Sequence, residues 1–251
     1  MRPYTQVLNA QINIISEQDL LRNLTEGVLI TPNLDHLVML QKDKEFYDCY
    51  RKAEWVICDS KILYLCSKLL KTPFPEAIPG SSFFPHFYEY HKNDLNCRIF
   101  LLGAMDGVAD IAKERINAKI GRELVVGSYS PSYGFENKID ENEKIYRMIE
   151  ETKASVVLVG VSAPKQEKWI KKHKEKMPNV RIWMALGATI DFEAGNNKRA
   201  PKIFQVLAIE WLYRMFQTPR KILPRVLRDM YFFIPFFKQL IGKYTDPFKD
   251  Y

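Results

Sequence analysis

The stretch VVLVGVSAPKQEKWIKKH, residues 156–173, opens as a run of branched aliphatics and ends as a basic amphipathic pattern. Val156, Val157, Leu158 and Val159 follow one another with no polar residue between them, as in a strand covered on both faces. Farther on, Trp169 and Ile170 stand among lysines in the manner of a helix with one apolar stripe. Between the two lie Gly160 and a short turn. Pro164 fixes that turn, Lys165 brings a positive charge, and Gln166 and Glu167 open a helix whose N-terminus favours anions. Such a turn can hold a phosphorylated or polyhydroxylated ligand. A surface turn with Glu167 as an ordinary first-turn acid fits the same residues.

The pattern repeats outward from there. Apolar runs recur at 28–31 (VLIT), 55–58 (WVIC), 98–103 (RIFLLG), 123–129 (ELVVGSY) and 180–187 (VRIWMALG), with amphipathic stretches such as 106–120 and 142–154 between them. Continuous strands alternating with helices predict an α/β fold: a Rossmann-like, largely parallel sheet flanked by helices. Ligands of such sheets collect at the carboxyl ends of the strands. Gly103, Gly107, Gly160 and Gly187 stand at those ends, where backbone can approach a ligand closely. The segment LLGAMDGVADIA lacks the G-x-G-x-x-G spacing, and Ser128 and Tyr129 stand where an acid would follow the next strand, which speaks against a nicotinamide site.

Length and composition fit a globular protein: 251 residues, 47% hydrophobic and 27% charged. Cys49, Cys58, Cys66 and Cys97 form no C-x-x-C pair and no zinc spacing, the chain opens without a signal peptide, and no apolar run is long enough to span a bilayer. The expected location is therefore cytoplasmic, with reduced, mostly buried thiols.

The charge is uneven. Residues 202–251 carry nine Lys or Arg against four acids, +5 of the total +7. That tail is helical in period, broken by Pro219, Pro224 and Pro235, and rich in aromatics: Trp211, Tyr213, Phe216, Tyr231, Phe232, Phe233, Phe236 and Phe237. Two domains are expected, an α/β core over 1–201 and a basic helical appendage over 202–251. Aromatic and basic residues together suit peripheral attachment to a membrane surface, and packing of the same aromatics on the core is the alternative. Away from lipid, so apolar a tail invites self-association into a homo-oligomer. A basic module gripping nucleic acid is the rival from another class. The tail's acids and dense aliphatics speak against it, so no nucleic-acid partner is expected.

Asp59 is the lone acid directly after its strand. A carboxylate there can take a proton from a substrate hydroxyl, or, like Ser60, cap the following helix. Thr31 and Asn33 at the neighbouring strand end can bond a sugar or cap the next helix. There is no D-x-D triplet, no G-x-S-x-G elbow and no P-loop, and His36, His86, His91 and His173 fall in no ligand spacing. No metal or cofactor is expected, so arginine would neutralise any diphosphate.

Taken together, TPNLDHLV, IPGSSFF, LLGAMDGVAD, VLVGVSAPKQEKWI, ALGATIDFEAGNNKRAP and IEWLYRMFQTPRK, in that order, resemble the WecG/TagA/CpsF family of bacterial glycosyltransferases over residues 28 to 228. The resemblance implies inverting, metal-independent transfer from a UDP-sugar to a polyprenyl diphosphate-linked sugar at the cytoplasmic membrane face. It places the catalytic aspartate on Asp59, the family's threonine and asparagine on Thr31 and Asn33, and its glutamine on Gln166. The family's C-terminal arginines, which complete the site and bind diphosphate, fall on Arg214 and Arg220, with Arg225 or Arg228 as further members. Asp191 matches a position near the nucleotide. Gly103, Gly160, Pro164, Lys165 and Glu167 are the other expected substrate contacts. Many members have Pro-Asp-Gly where this chain has Cys58-Asp59-Ser60. N-acetylmannosamine, its uronic acid, glucose and glucuronic acid lie within the family's range, in teichoic-acid linkage, enterobacterial antigen or capsule and exopolysaccharide assembly.

Overall fold

The computed structural model describes residues 2–196 and 219–249. A hairpin of β1 (Tyr4–Val7) and β2 (Ala10–Asn13) precedes α1 (Glu17–Asn23). The main body then runs β3 (Gly27–Ile30), α2 (Leu34–Met39), α3 (Lys44–Lys52), β4 (Trp55–Val56), α4 (Lys61–Ser67), α5 (Gly80–Tyr90), β5 (Ile99–Gly103), α6 (Val108–Ile120) and β6 (Val125–Tyr129). It continues with α7 (Ile139–Glu151), β7 (Val156–Gly160), α8 (Lys165–His173), β8 (Ile182–Ala185) and α9 (Thr189–Glu193). The last described helices are α10 (Pro219–Met230) and α11 (Phe233–Leu240). Helix starts follow local chemistry: the side chains of Ser16, Asn33, Asp43 and Ser60 each accept a backbone N–H three residues on, capping α1 to α4.

Six strands form one parallel sheet in the order β4-β3-β8-β7-β5-β6. Alternate residues of a strand face opposite sides, and here both sides are apolar. Val157 and Val159 join Phe100, Leu102, Trp183, Trp169 and Ile145 in a cluster under α2, α3, α7 and α8. Val156 and Leu158 join Leu101, Met184, Phe83, Phe87 and Ile116 beneath α1, α5 and α6. The expected α/β architecture is the observed one, and the unbroken aliphatic runs are its cause.

The tail's described apolar residues divide between core and surface. Phe232 and Phe236 are buried in the core, and Gln239 of α11 ties to the hairpin, accepting the Leu8 N–H and donating to the Gln6 carbonyl at 2.8 Å each. Leu227, Met230, Tyr231, Ile234 and Phe237 remain exposed. Among the described residues no helix is long and apolar enough to cross a membrane. Trp211, Tyr213 and Phe216 lie outside the described residues.

Candidate active site

The carboxyl ends of β3 and β4 meet at Asp59, with the β8 end beside them through Leu186 and Gly80. The Asp59 N–H donates to the Pro32 carbonyl at 3.1 Å, so the residues after β3 and β4 run together. The chain then returns across this end: Ile78 N–H donates to the Cys58 carbonyl at 2.7 Å, and the Gly80 N–H donates to Asp59 Oδ1 at 2.8 Å. The carboxylate is thereby aimed by the first amide of α5, a donor with no partner inside its own helix. Ser60 Oγ accepts the Leu63 N–H at 3.3 Å, so Ser60 and not Asp59 caps α4. Asn33 does take up such a role: its Oδ1 accepts the His36 N–H at 3.1 Å. Thr31 is buried beside Gly80, where a Cβ would lie 3.5 Å from Thr31 Oγ1 and only 2.8 Å from Leu186 Cδ2. Gly80 thus closes the gap between the β3, β4 and β8 ends.

The floor beside it is backbone. Gly103 has φ +137°, and a Cβ there would stand 2.4 Å from the Gly160 carbonyl oxygen; a Cβ on Gly160 would stand 2.7 Å from the Gly187 oxygen. Glycine is required at both by contact with the neighbouring strand end. Ala104 (φ 62°) and Ser162 (φ 71°) hold left-handed conformations at the same rim, and the Ala163–Pro164 peptide is cis. Non-glycine residues in that region concentrate at functional sites.

Pro164 precedes α8 as expected, and Lys165 pairs with Glu136 at 3.4 Å with its ammonium 5.3 Å from the Tyr133 ring centroid. Gln166 and Glu167 turn inward. Gln166 Oε1 accepts the Gly187 N–H at 3.1 Å, and its Nε2 donates to Glu167 Oε1 at 2.9 Å. Glu167 is 1% exposed, which removes the alternative of a surface first-turn acid, because α3 covers this side of α8. Burial pushes its carboxyl up to about 7, opposed by the Gln166 bond, and its Oε2 is buried without a hydrogen-bond partner. Asp191 lies half-buried in the first turn of α9.

Sequence reasoning missed the group behind Asp59. Tyr50 of α3 is buried, its hydroxyl 2.7 Å from His36 Nδ1. Burial first, then the charges of Glu167 and Asp59, hold its phenol well above the ordinary range. In the sequence Phe46, Cys49 and Tyr50 form an apolar helical stripe, and nothing there points to two acids nearby.

The described arginine of the tail stands elsewhere than on the floor. Arg228 Nε and Nη2 fork onto the Asp35 carboxylate at 2.5 and 2.8 Å, joining α10 to α2 two residues from Asn33. Arg214 lies outside the described residues, as do the side chains of Arg220 and Arg225 on α10. No three His, Cys, Asp or Glu gather to hold a metal ion among the described residues, and all four cysteines are buried free thiols.

Several known proteins share this arrangement of sequence. The N-acetylglucosaminyldiphosphoundecaprenol N-acetyl-beta-D-mannosaminyltransferase of Staphylococcus aureus strain MRSA252 is 29% identical over 188 residues, 74% of this chain and 70% of that protein. Its counterpart in strain MW2 is 28% identical over 196 residues, 77% of this chain and 73% of that protein. The family model described as Glycosyl transferase WecG/TagA/CpsF family matches residues 5–246, from the hairpin through α11 and including every strand end around Asp59. With a match of that extent over a parallel α/β sheet, the chain belongs to the WecG/TagA/CpsF family of glycosyltransferases.

Proposed function

We propose that this glycosyltransferase moves a sugar of the N-acetylmannosamine type from a UDP-sugar to a polyprenyl diphosphate-linked sugar in cell-surface polysaccharide synthesis, with inversion and without a metal ion. The acceptor reading follows the names of the staphylococcal relatives, which give N-acetylglucosaminyldiphosphoundecaprenol as their acceptor. One observation carries the mechanism: a single carboxylate at the end of β4, aimed by the Gly80 N–H. In direct displacement the acceptor oxygen bonds to the anomeric carbon, its proton passes to Asp59, and the bond to UDP breaks with its electron pair leaving on the diphosphate. One base suffices because no covalent glycosyl-enzyme forms.

Asp191, Lys165 and the strand-end amides around Gly103 and Gly160 would line the nucleotide side, with Thr31 near the sugar. Arg214, Arg220 and Arg225 would neutralise the leaving diphosphate, where negative charge develops. The exposed apolar residues of α10 and α11 would rest on the cytoplasmic membrane face that carries the acceptor.

The test is direct. Wild type and Asp59→Asn are supplied with UDP-N-acetylmannosamine and a short-chain N-acetylglucosaminyl diphosphate lipid, with and without chelator, and product is read by mass. Asp59→Asn should bind UDP as the wild type does and lose at least about a thousandfold in kcat. Turnover by the variant at the wild-type rate, or loss of wild-type activity in chelator with rescue by manganese, would overturn the proposal.

A further inference from the structure

Gln166 is 2% exposed and Glu167 1%, so neither side chain reaches solvent. A buried primary amide needs an acceptor for its N–H and a donor for its oxygen. Gln166 has one of each, from different parts of the fold: Glu167 Oε1 on its own helix and the Gly187 N–H beyond β8. Only one orientation of the amide satisfies both. Gly187 is fixed on its other side as well, its carbonyl oxygen 2.7 Å from where a Gly160 Cβ would stand. The preceding residue, Leu186, presses on Gly80, and Gly80 gives its N–H to Asp59. A line of contacts therefore runs Glu167, Gln166, Gly187, Leu186, Gly80, Asp59, from a buried acid to the carboxylate assigned as base.

We propose that Glu167 is a positioning residue for sugar transfer: its carboxyl oxygen holds the Gln166 amide on the Gly187 N–H and so sets the β8 end against Gly80 and Asp59. The inference rests on Asp59 as the base. Without the Glu167 acceptor the Gln166 N–H has no partner in a dry site. The amide then turns away to find one and releases the Gly187 N–H. The base loses its aim while the nucleotide contacts stay in place. Glutamine at 167 keeps a carbonyl oxygen at the same reach; leucine does not.

The experiment follows amide hydrogen exchange at Gly187 in the nitrogen-15-labelled full chain, and kcat and KM for the UDP-sugar, in wild type, Glu167→Leu, Glu167→Gln and Asp59→Asn. Glu167→Leu should speed Gly187 exchange at least about tenfold and lower kcat by about 10- to 100-fold, with KM changed less than about threefold. Glu167→Gln should restore both. Unchanged exchange and kcat in Glu167→Leu would overturn the proposal, as would equal losses in Glu167→Gln. Should Glu167→Leu fail to fold, Gln166→Leu breaks the bridge from the other end, and wild-type kcat there also overturns it. Asp59→Asn with full turnover would remove the base assignment, whereas the Gly187 exchange result reports on the bridge alone.

Discussion

Glu167→Gln should also change how stability depends on pH. The buried carboxyl is held at about 7 against 4.5 for the free group. In the unfolded chain it ionises near 4.5, whereas folding keeps it protonated until pH 7. The stability linked to its proton is fully present below about pH 4.5 and is lost as pH rises through 7. At 1.36 kcal/mol per pH unit, this group's contribution to stability falls by about 3 kcal/mol between pH 4.5 and 8.5. Glutamine has no such proton, so the difference between variant and wild type should drift by about that amount across the range. Groups facing Glu167 leave the comparison intact. Burial raises the Cys49 thiol to about 12 and the Tyr50 phenol well above its usual value, so neither titrates here. His173 at the far end of α8 is pushed down to about 4, and it is present in both proteins. Urea unfolding at half-unit steps from pH 5 to 8.5 reads the drift. In thermal melts it amounts to roughly 6–12 °C for a chain of this size. Parallel curves for the two proteins would show that Glu167 is ionised throughout, and would refute its reading as a neutral buried acid.

Three further predictions address other parts of the molecule. Arg228→Ala should cost about 1 kcal/mol in urea unfolding, a modest figure because the guanidinium is half-exposed, and a double-mutant cycle with Asp35→Asn should assign most of it to the pair. Additive losses would show that the fork contributes nothing. Gly103→Ala should destabilise by about 3 kcal/mol or more, since a Cβ 2.4 Å from a carbonyl oxygen at φ +137° must push two strand ends apart; a wild-type melting temperature would contradict this. Combined replacement of Leu227, Ile234 and Phe237 by serine should abolish sedimentation with anionic vesicles and leave turnover on a water-soluble acceptor unchanged. Vesicle binding at the wild-type level would remove these helices from the membrane contact.

The sheet was legible because its strands are apolar on both faces, and a run such as Val156 to Val159 has few other homes. The candidate site was legible as far as strand ends could be found. Asp59 stood out as the acid after WVIC, but its local sequence could not separate it from Ser60 as a helix cap. Ser60 takes the cap of α4, and Ile78 to Gly80, about twenty residues on, arrive to engage Cys58 and Asp59. Glu167 shows why charge misleads. In sequence it belongs to an exposed basic helix, and only the packing of α3 against α8 reveals it as interior. Tyr50 was hidden for the same reason, being part of a stripe that any core helix would show. The tail's aromatics divided between core and surface because α11 meets the hairpin on one side only, a pairing across more than 200 residues that no local pattern encodes.

The seam of Gly103, Gly160 and Gly187 has a consequence for how this enzyme can evolve. A surface made of peptide groups offers no side chain to exchange, and adding even a methyl at its first two members collides with the adjoining strand. If that surface lines the nucleotide side, as proposed, selectivity for one sugar over another has to be written above it, in side chains free to change size. Met105 and Tyr133, exposed by 78% and 95% on the loops that follow β5 and β6, have that freedom. Libraries aimed at new donors should therefore randomise the rim and leave the glycines untouched.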